Sequence, residues 1–405
     1  MHHQMHPLQS INKPDRGNIS KSRSKMACLW VHYILLSTRI KVDDRFPTTI
    51  QATLTFYPGI IDKHGYSHFF IVYLLVFKSH KITTGSGPLQ SGKNGVILLN
   101  MGGPDTLDDV QPFLFNLFSD REIIRLGPAF LQKFLAWIIS RRRARKSKAI
   151  YALVGGGSPL KEISLRQAKA LQEALSADGD YVVRVAMRYW PPYADQAVQE
   201  LLAAGIDHLT ALTLYPHYSK ATTGSSLSHL QQSLQRLAPD MPFTSISSWP
   251  AQDCYVAALA ENITNGLQSF DTNPVHIVYS AHSLPVSFIE DGDPYVDHIE
   301  QTIAAIEKIT EQSGRLCYQS RSGPVEWLSP STPEMLETLA DEGCKNILMV
   351  PISFVSDHVE TLYEIDILYR DQAAQRGMCL RSSASLNTNP LFIQGLKDLV
   401  LQEKC

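Results

Sequence analysis

Cysteine is scarce in this chain of 405 residues. There are six, at Cys28, Cys254, Cys317, Cys344, Cys379 and Cys405, and no two stand as a C-x-x-C pair. That scatter argues against a disulfide scaffold, a zinc knuckle or an iron-sulfur cluster, and reads as reduced thiols in a cytosolic protein. Long apolar runs are missing as well. Leu29 to Leu36 and Phe69 to Phe77 are apolar patches far short of the roughly 20 residues a spanning helix needs. Charge of one sign is not in excess: 37 Lys and Arg balance 39 Asp and Glu, for a formal net charge of -2. Nucleic acid is therefore not a natural partner. Phosphate loops are absent too. Gly155-Gly156-Gly157-Ser158-Pro159 carries no following Lys-Ser/Thr, and no G-x-G-x-x-G follows the first apolar strand, so a nucleotide is not expected.

What remains is an ordinary soluble composition, 44% apolar and 19% charged, in a chain long enough for a substantial core. Residues 1–92 are patterned unlike the rest, begin His-rich, and show no signal-peptide arrangement; they read as a poorly ordered extension. The one strongly basic run is Arg141-Arg142-Arg143-Ala144-Arg145-Lys146.

From Lys93 onward, short apolar runs alternate with helical periodicity. Strand-like runs fall at Val96–Leu99, Val182–Met187, His208–Leu214, Val275–Tyr279, Leu316–Tyr318 and Ile347–Val350. Helical patterns lie between them, as in Leu165–Leu175, Ala194–Ala203, Val296–Ile309 and Glu334–Ala340. This is the α/β pattern of parallel sheets covered by helices on both faces. The chain also repeats itself. Gly205 and Gly343 sit in similar contexts, each with a proline thirteen residues before (Pro192, Pro330) and a polar residue fourteen after (Ser219, Asp357). The expectation is two similar Rossmann-like domains, 93–265 and 266–405, with a cleft between them and ligands beyond the carboxyl ends of the strands.

The chemistry-bearing residues cluster at those strand ends. His282 follows an apolar strand within Ser280-Ala281-His282-Ser283-Leu284-Pro285, where an imidazole could take a proton near neutral pH or ligate a metal. A structural histidine bonded to backbone is the plain alternative. Asp357, Glu360 and Glu364 are spaced i, i+3, i+7, one face of an α-helix, and their mutual repulsion would be relieved by a divalent cation. A solvated acidic face at a helix N-terminus is the alternative there. The three glycines at 155–157 read as a tight turn with Ser158 capping the next helix. The stripe Phe113-Leu114 with Leu117-Phe118 reads as core packing.

Together these segments resemble the ferrochelatase family. The likeness runs from about Gly95 to Val400 and rests on Leu99-Asn100-Met101-Gly102-Gly103-Pro104, Gly155–Pro159, Met187-Arg188-Tyr189, Tyr215–Ser219 with Thr222–Ser226, Ser280–Pro285, Gly292-Asp293-Pro294-Tyr295, Ser356–Asp366 and Asn387 with Pro390-Leu391-Phe392. It implies a porphyrin cleft between two Rossmann-like domains. It implies His282 and Glu360 as the catalytic and metal-handling pair, with Glu364 and Asp357 in the metal set. It implies Met101, Arg143, Tyr151, Ser158, Arg188, Tyr215 and Trp327 as porphyrin-pocket residues. The substrates implied are a porphyrin, protoporphyrin IX foremost, and ferrous iron, with no resident cofactor. Two departures stand out. Lys220 replaces a cluster cysteine found in animal members and the chain ends without a cysteine-rich tail, so no iron-sulfur cluster is expected. Leu368 replaces a further carboxylate that some members carry on the acidic line.

The residue types suit that reaction. A free-base porphyrin gives up two pyrrole protons as the metal enters, a neutral His can take them, and carboxylates can hold a hard divalent ion as it sheds water. Two rivals stay open: a same-fold cobalt or nickel chelatase, and a non-catalytic haem or porphyrin carrier. Protoporphyrin versus coproporphyrin, oligomeric state and peripheral membrane contact stay open too.

Overall fold

The computed structural model describes residues 37–40, 50–56, 71–74, 92–271 and 274–402. The chain divides into two compact units, Met1–Pro88 and Leu89–Cys405. In the first, β1 (Ser37–Ile40), β2 (Ile50–Phe56) and β3 (Ile71–Leu74) form an antiparallel sheet in that order. The sequence pattern did not anticipate these strands. The remainder of the expected extension, including Leu29 to Leu36, lies outside the described residues.

The second unit holds two four-stranded parallel sheets. β4 (Asn94–Asn100), β5 (Tyr181–Met187), β6 (His208–Thr213) and β7 (Phe243–Ile246) pair in the order β5-β4-β6-β7. β8 (Val275–His282), β9 (Gly314–Gln319), β10 (Asn346–Pro351) and β11 (Cys379–Ser382) pair as β9-β8-β10-β11. The two orders are the same when each half is counted from its own first strand, so the repeat read from Gly205 and Gly343 is a repeat of topology. Both glycines take positive φ, 74° and 80°, just past the ends of α4 (Ala194–Ala203) and α9 (Thr332–Asp341). Among the other helices, α1 (Val110–Ser119), α2 (Gln132–Leu153), α3 (Leu160–Leu175), α5 (Ser225–Leu237) and α6 (Asp253–Gln268) precede the second sheet. The second half adds α7 (Val286–Glu290), α8 (Tyr295–Thr310), α10 (Arg370–Gln375) and α11 (Pro390–Gln402).

Central strands are buried on both faces, which is why they read as unbroken apolar runs. In β4, Val96 and Leu98 face one core while Ile97 and Leu99 face another. Each such side chain contributes about 1.5–3 kcal/mol by leaving water, and Leu98→Ala should cost roughly 2–5 kcal/mol. The larger core runs through both halves, from Val96 and Leu98 by way of Tyr255 and Phe392 to Leu348 and Val350. α3 and α6 both pack on α11, and α6 also packs on α8 and β10. The boundary expected at residue 265 therefore falls inside α6, a helix that serves the second sheet. α9 opens with a reciprocal capping box between Ser331 and Glu334.

After the third strand of each half the backbone winds into a π-helix: Lys220–Gly224 after β6, and the ten-residue Glu360–Tyr369 after β10. Such winding is rare and concentrates at functional sites. The expected α-helical acidic stripe is thus corrected. Asp357 lies ahead of the helix, Glu360 begins it, and Glu364 follows nearly one wide turn later.

Candidate active site

β8 and β10 are neighbours and parallel, so the segments leaving their carboxyl ends converge. His282 is the last residue of β8 and Glu360 the first of the π-helix beyond β10. Their side chains meet, with His282 Nδ1 2.7 Å from Glu360 Oε2. Backbone bonds fix the histidine: its N–H donates to Ser353 Oγ at 2.9 Å, and Tyr295 donates its hydroxyl to the His282 carbonyl at 3.0 Å. His282 keeps 34% of its side-chain surface open and Glu360 19%, so both remain partly accessible.

The electrostatics push these groups apart. Burial opposes the charge on Glu360, but His282, with its hydrogen bond, and His358 outweigh that and hold its pKa well below 4.5. Burial by itself lowers the pKa of His282, yet the charge and hydrogen bond of Glu360, with Glu364 behind it, raise it above 6.5. Glu364 is raised by burial and by the Glu360 charge. The site therefore holds one firmly ionised carboxylate beside one that takes a proton readily, a common signature of divided roles. Since Glu360 is the ionised partner, Nδ1–H of neutral His282 donates to it, leaving the Nε2 lone pair to accept a proton.

Surrounding side chains hold this arrangement. Glu364 Oε2 accepts from the Ser320 hydroxyl at 2.6 Å and from the Tyr369 hydroxyl at 3.3 Å. His358 Nδ1 lies 3.1 Å from the Ser356 carbonyl, and its Nε2 stands 3.7 Å from Glu360 Oε2, an electrostatic neighbour beyond hydrogen-bond range. Phe354 lies against the His358 ring at 3.9 Å and edge-on to His282 at 6.2 Å. Ser320, Ser353, His358 and Tyr369 escaped selection as site residues. Tyr295 stood in a family-like segment without a role, and nothing in the local pattern marks Ser320, which belongs to the loop after β9.

The expected porphyrin residues divide. Tyr151 is buried in the apolar cluster that also takes in Met101 and Val359, and its phenol is raised by burial and by the Glu360 charge. Trp327 bridges to Pro285, three residues past His282, with its indole N–H buried and unpartnered. The expected cap is corrected: Pro159 is the N-cap of α3, and Ser158 before it accepts from Leu160 N–H at 3.3 Å; Gly157 lies so close to the Asp105 carbonyl that a Cβ would clash. Tyr215, beyond β6, is raised by burial. Arg188 instead points into the first half, donating to Asp120 at 2.8 Å and Ser225 at 2.7 Å. Arg143 spans to Ser322 of the second half. Asp357 stands apart from the pair, bonded to Asn387 at 2.8 Å. Phe113, Leu114 and Phe118 are core, as read from their spacing.

The family model for ferrochelatase matches residues 93–404. The chain belongs to the ferrochelatase family. Relatives under that name are 62% identical in Desulfotalea psychrophila, over 78% of this chain and 98% of the relative, and 51% identical in Geotalea daltonii, over 78% and 99%. A ferrochelatase of Synechococcus elongatus is 49% identical over 77% of this chain and 82% of its own. Like other members of the ferrochelatase family, the chain is an enzyme, a metal-chelating lyase of haem biosynthesis. Among the described residues no helix is long and apolar enough to cross a membrane.

Proposed function

We propose that this enzyme inserts ferrous iron into a porphyrin, protoporphyrin foremost, with His282 as proton acceptor and Glu360 and Glu364 as metal-handling carboxylates. The observation that carries the reading is the 2.7 Å contact of His282 with Glu360 at the ends of adjacent parallel strands, with Glu364 hydrogen-bonded behind it. His282 Nε2 takes a pyrrole proton, and Glu360 stabilises the imidazolium that results. The macrocycle loses two protons as a doubly charged ion enters, so its net charge is unchanged. Glu364, protonated more readily than Glu360, suits the passage of a proton outward or of a cation inward. Met101, Tyr151 and Trp327 supply apolar and aromatic wall for the ring. No resident cofactor enters this reading, since the iron is substrate.

Location is part of the proposal: cytosolic, with peripheral contact to a membrane. The amino-terminal part of α2 supports that contact, exposing Phe134 and Trp137 beside Arg141, Arg142 and Arg145.

Anaerobic turnover followed by absorbance tests the function. Ferrous iron with protoporphyrin should give the haem spectrum at a rate above that with cobalt or nickel, and coproporphyrin in parallel decides the ring. Binding of porphyrin without turnover of any metal would leave only a carrier.

A further inference from the structure

Asp357 is the acidic residue that the pair leaves behind, and its bonds say what it does. Its backbone N–H donates to Asn387 Oδ1 at 3.0 Å, and its Oδ2 accepts from Asn387 Nδ2 at 2.8 Å. Asn387 is one of the few non-glycine residues with positive φ, at 45°, a conformation Asn and Asp tolerate better than other side chains. Its own N–H donates to the Val355 carbonyl at 2.8 Å. Its carbonyl accepts from Gln167 Nε2 at 2.7 Å, and the same Gln167 amide donates to Ser356 Oγ at 2.9 Å. Gln167 is fully buried on α3, a helix of the first half.

Residues 355, 356 and 357 are thus each held, and Glu360 begins its helix three residues later. We infer that Asn387 and Asp357 are positioning residues: a reciprocal side-chain clasp that sets the loop bearing His358 and Glu360, with Gln167 tying that loop to the first half. On this reading Asp357 acts through hydrogen-bond geometry and not as a ligand of the incoming metal. The inference rests on the proposed role of Glu360.

The two roles part company in a swap. Asp357→Asn keeps the shape and can still accept from Asn387 Nδ2, so a positioning role leaves iron insertion within about threefold of wild type, whereas a metal ligand would lose far more with its charge. Asn387→Asp sets two carboxylates against each other and should lower kcat by about tenfold or more through displacement of Glu360. The double swap D357N/N387D restores one donor facing one carboxylate and keeps the acceptor for the backbone N–H of residue 357. It should recover kcat to within about threefold. The assay is anaerobic ferrous iron insertion into protoporphyrin, with kcat and the KM for iron measured separately. A tenfold loss in Asp357→Asn that the swap fails to repair overturns the inference, as does wild-type kcat in Asn387→Asp. Should Asn387→Asp not fold, the isosteric Asp357→Asn still decides. Should wild type insert no metal at all, the functional reading fails. The clasp is then read in Tm, lowered in Asn387→Asp and recovered in the swap; no recovery there sinks it.

Discussion

The two halves of the second unit share one topology and differ in the side chains at corresponding strand ends. Each has its first strand in the second place, a glycine-ended helix before its third strand, and a π-helical segment after that strand. In the first half those positions present Asn100 at the end of β4 with Met101 after it, and Ser219 and Lys220 at the π-helix. Asn100 donates to Ser164 at 3.0 Å, and the Ser219 hydroxyl and Lys220 N–H donate to Asp293 at 2.9 and 2.8 Å. All are bonds that hold structure. In the second half the same positions present His282 and Glu360, which bond to each other and stay partly exposed. Sheet topology creates a place for chemistry in both halves. On the proposed function, the side chains at two strand ends decide which half does it.

His282→Ala should break the comparison most severely, removing the proposed proton acceptor and costing roughly 10²–10⁴-fold in insertion rate. The protein should still fold and bind porphyrin, as read by fluorescence quenching. Turnover within a few-fold of wild type would return His282 to the status of its first-half counterpart.

Glu360→Gln comes next, with a loss of about a hundredfold at saturating iron, and its pH profile is as informative as its rate. His282 serves as a base only when neutral, and its pKa lies above 6.5 because of Glu360 first and Glu364 second, against burial. Insertion should therefore fall as pH drops through that raised value. Taking away the Glu360 charge should move this acid limb to lower pH. Glu364→Gln should move it less and mainly raise the KM for iron. An unmoved limb in Glu360→Gln would separate the carboxylate from the histidine.

In the first half the expected damage is to stability. One Asp120 oxygen accepts from Arg188, Tyr189 and Ser225, and the carboxylate is held below 3.8, its burial outweighed by Ser225, Tyr189 and Arg188. Asp120→Ala strands Arg188 and should cost about 3 kcal/mol, several degrees in Tm, while kcat changes less than in Glu360→Gln. A large loss of kcat at unchanged Tm would show the first half taking part in the chemistry. The smallest effect should come from deleting residues before Lys93, which should leave insertion within about threefold.

Much of this was legible in the chain itself. Val96–Leu99 and Ile347–Val350 announced central parallel strands, and Val182–Met187 an edge strand almost as buried, because strands covered on both faces need no polar residues. Gly205 and Gly343, with equally spaced prolines, announced the repeat. The edge strands β7 and β11 did not: Phe243–Ile246 and Cys379–Ser382 are short, half-exposed and mixed in polarity. His282 and Glu360 stood out because one ends an apolar strand and the other opens the helix beyond another, the side on which α/β sheets place their ligands.

What only the tertiary structure decided is which neighbours share those ends. Sequence spacing placed Asp357 on one face with Glu360, since it presumes α-helical winding. The backbone instead begins a π-helix at Glu360, and Asn387, thirty residues away, claims Asp357. Arg188 gives its guanidinium to Asp120, 68 residues earlier, a partner that no local pattern announced. Local pattern sets which residues end a strand and how polar they are. A hydrogen bond between distant segments depends on where the folded core brings them, and no local spacing carries that distance.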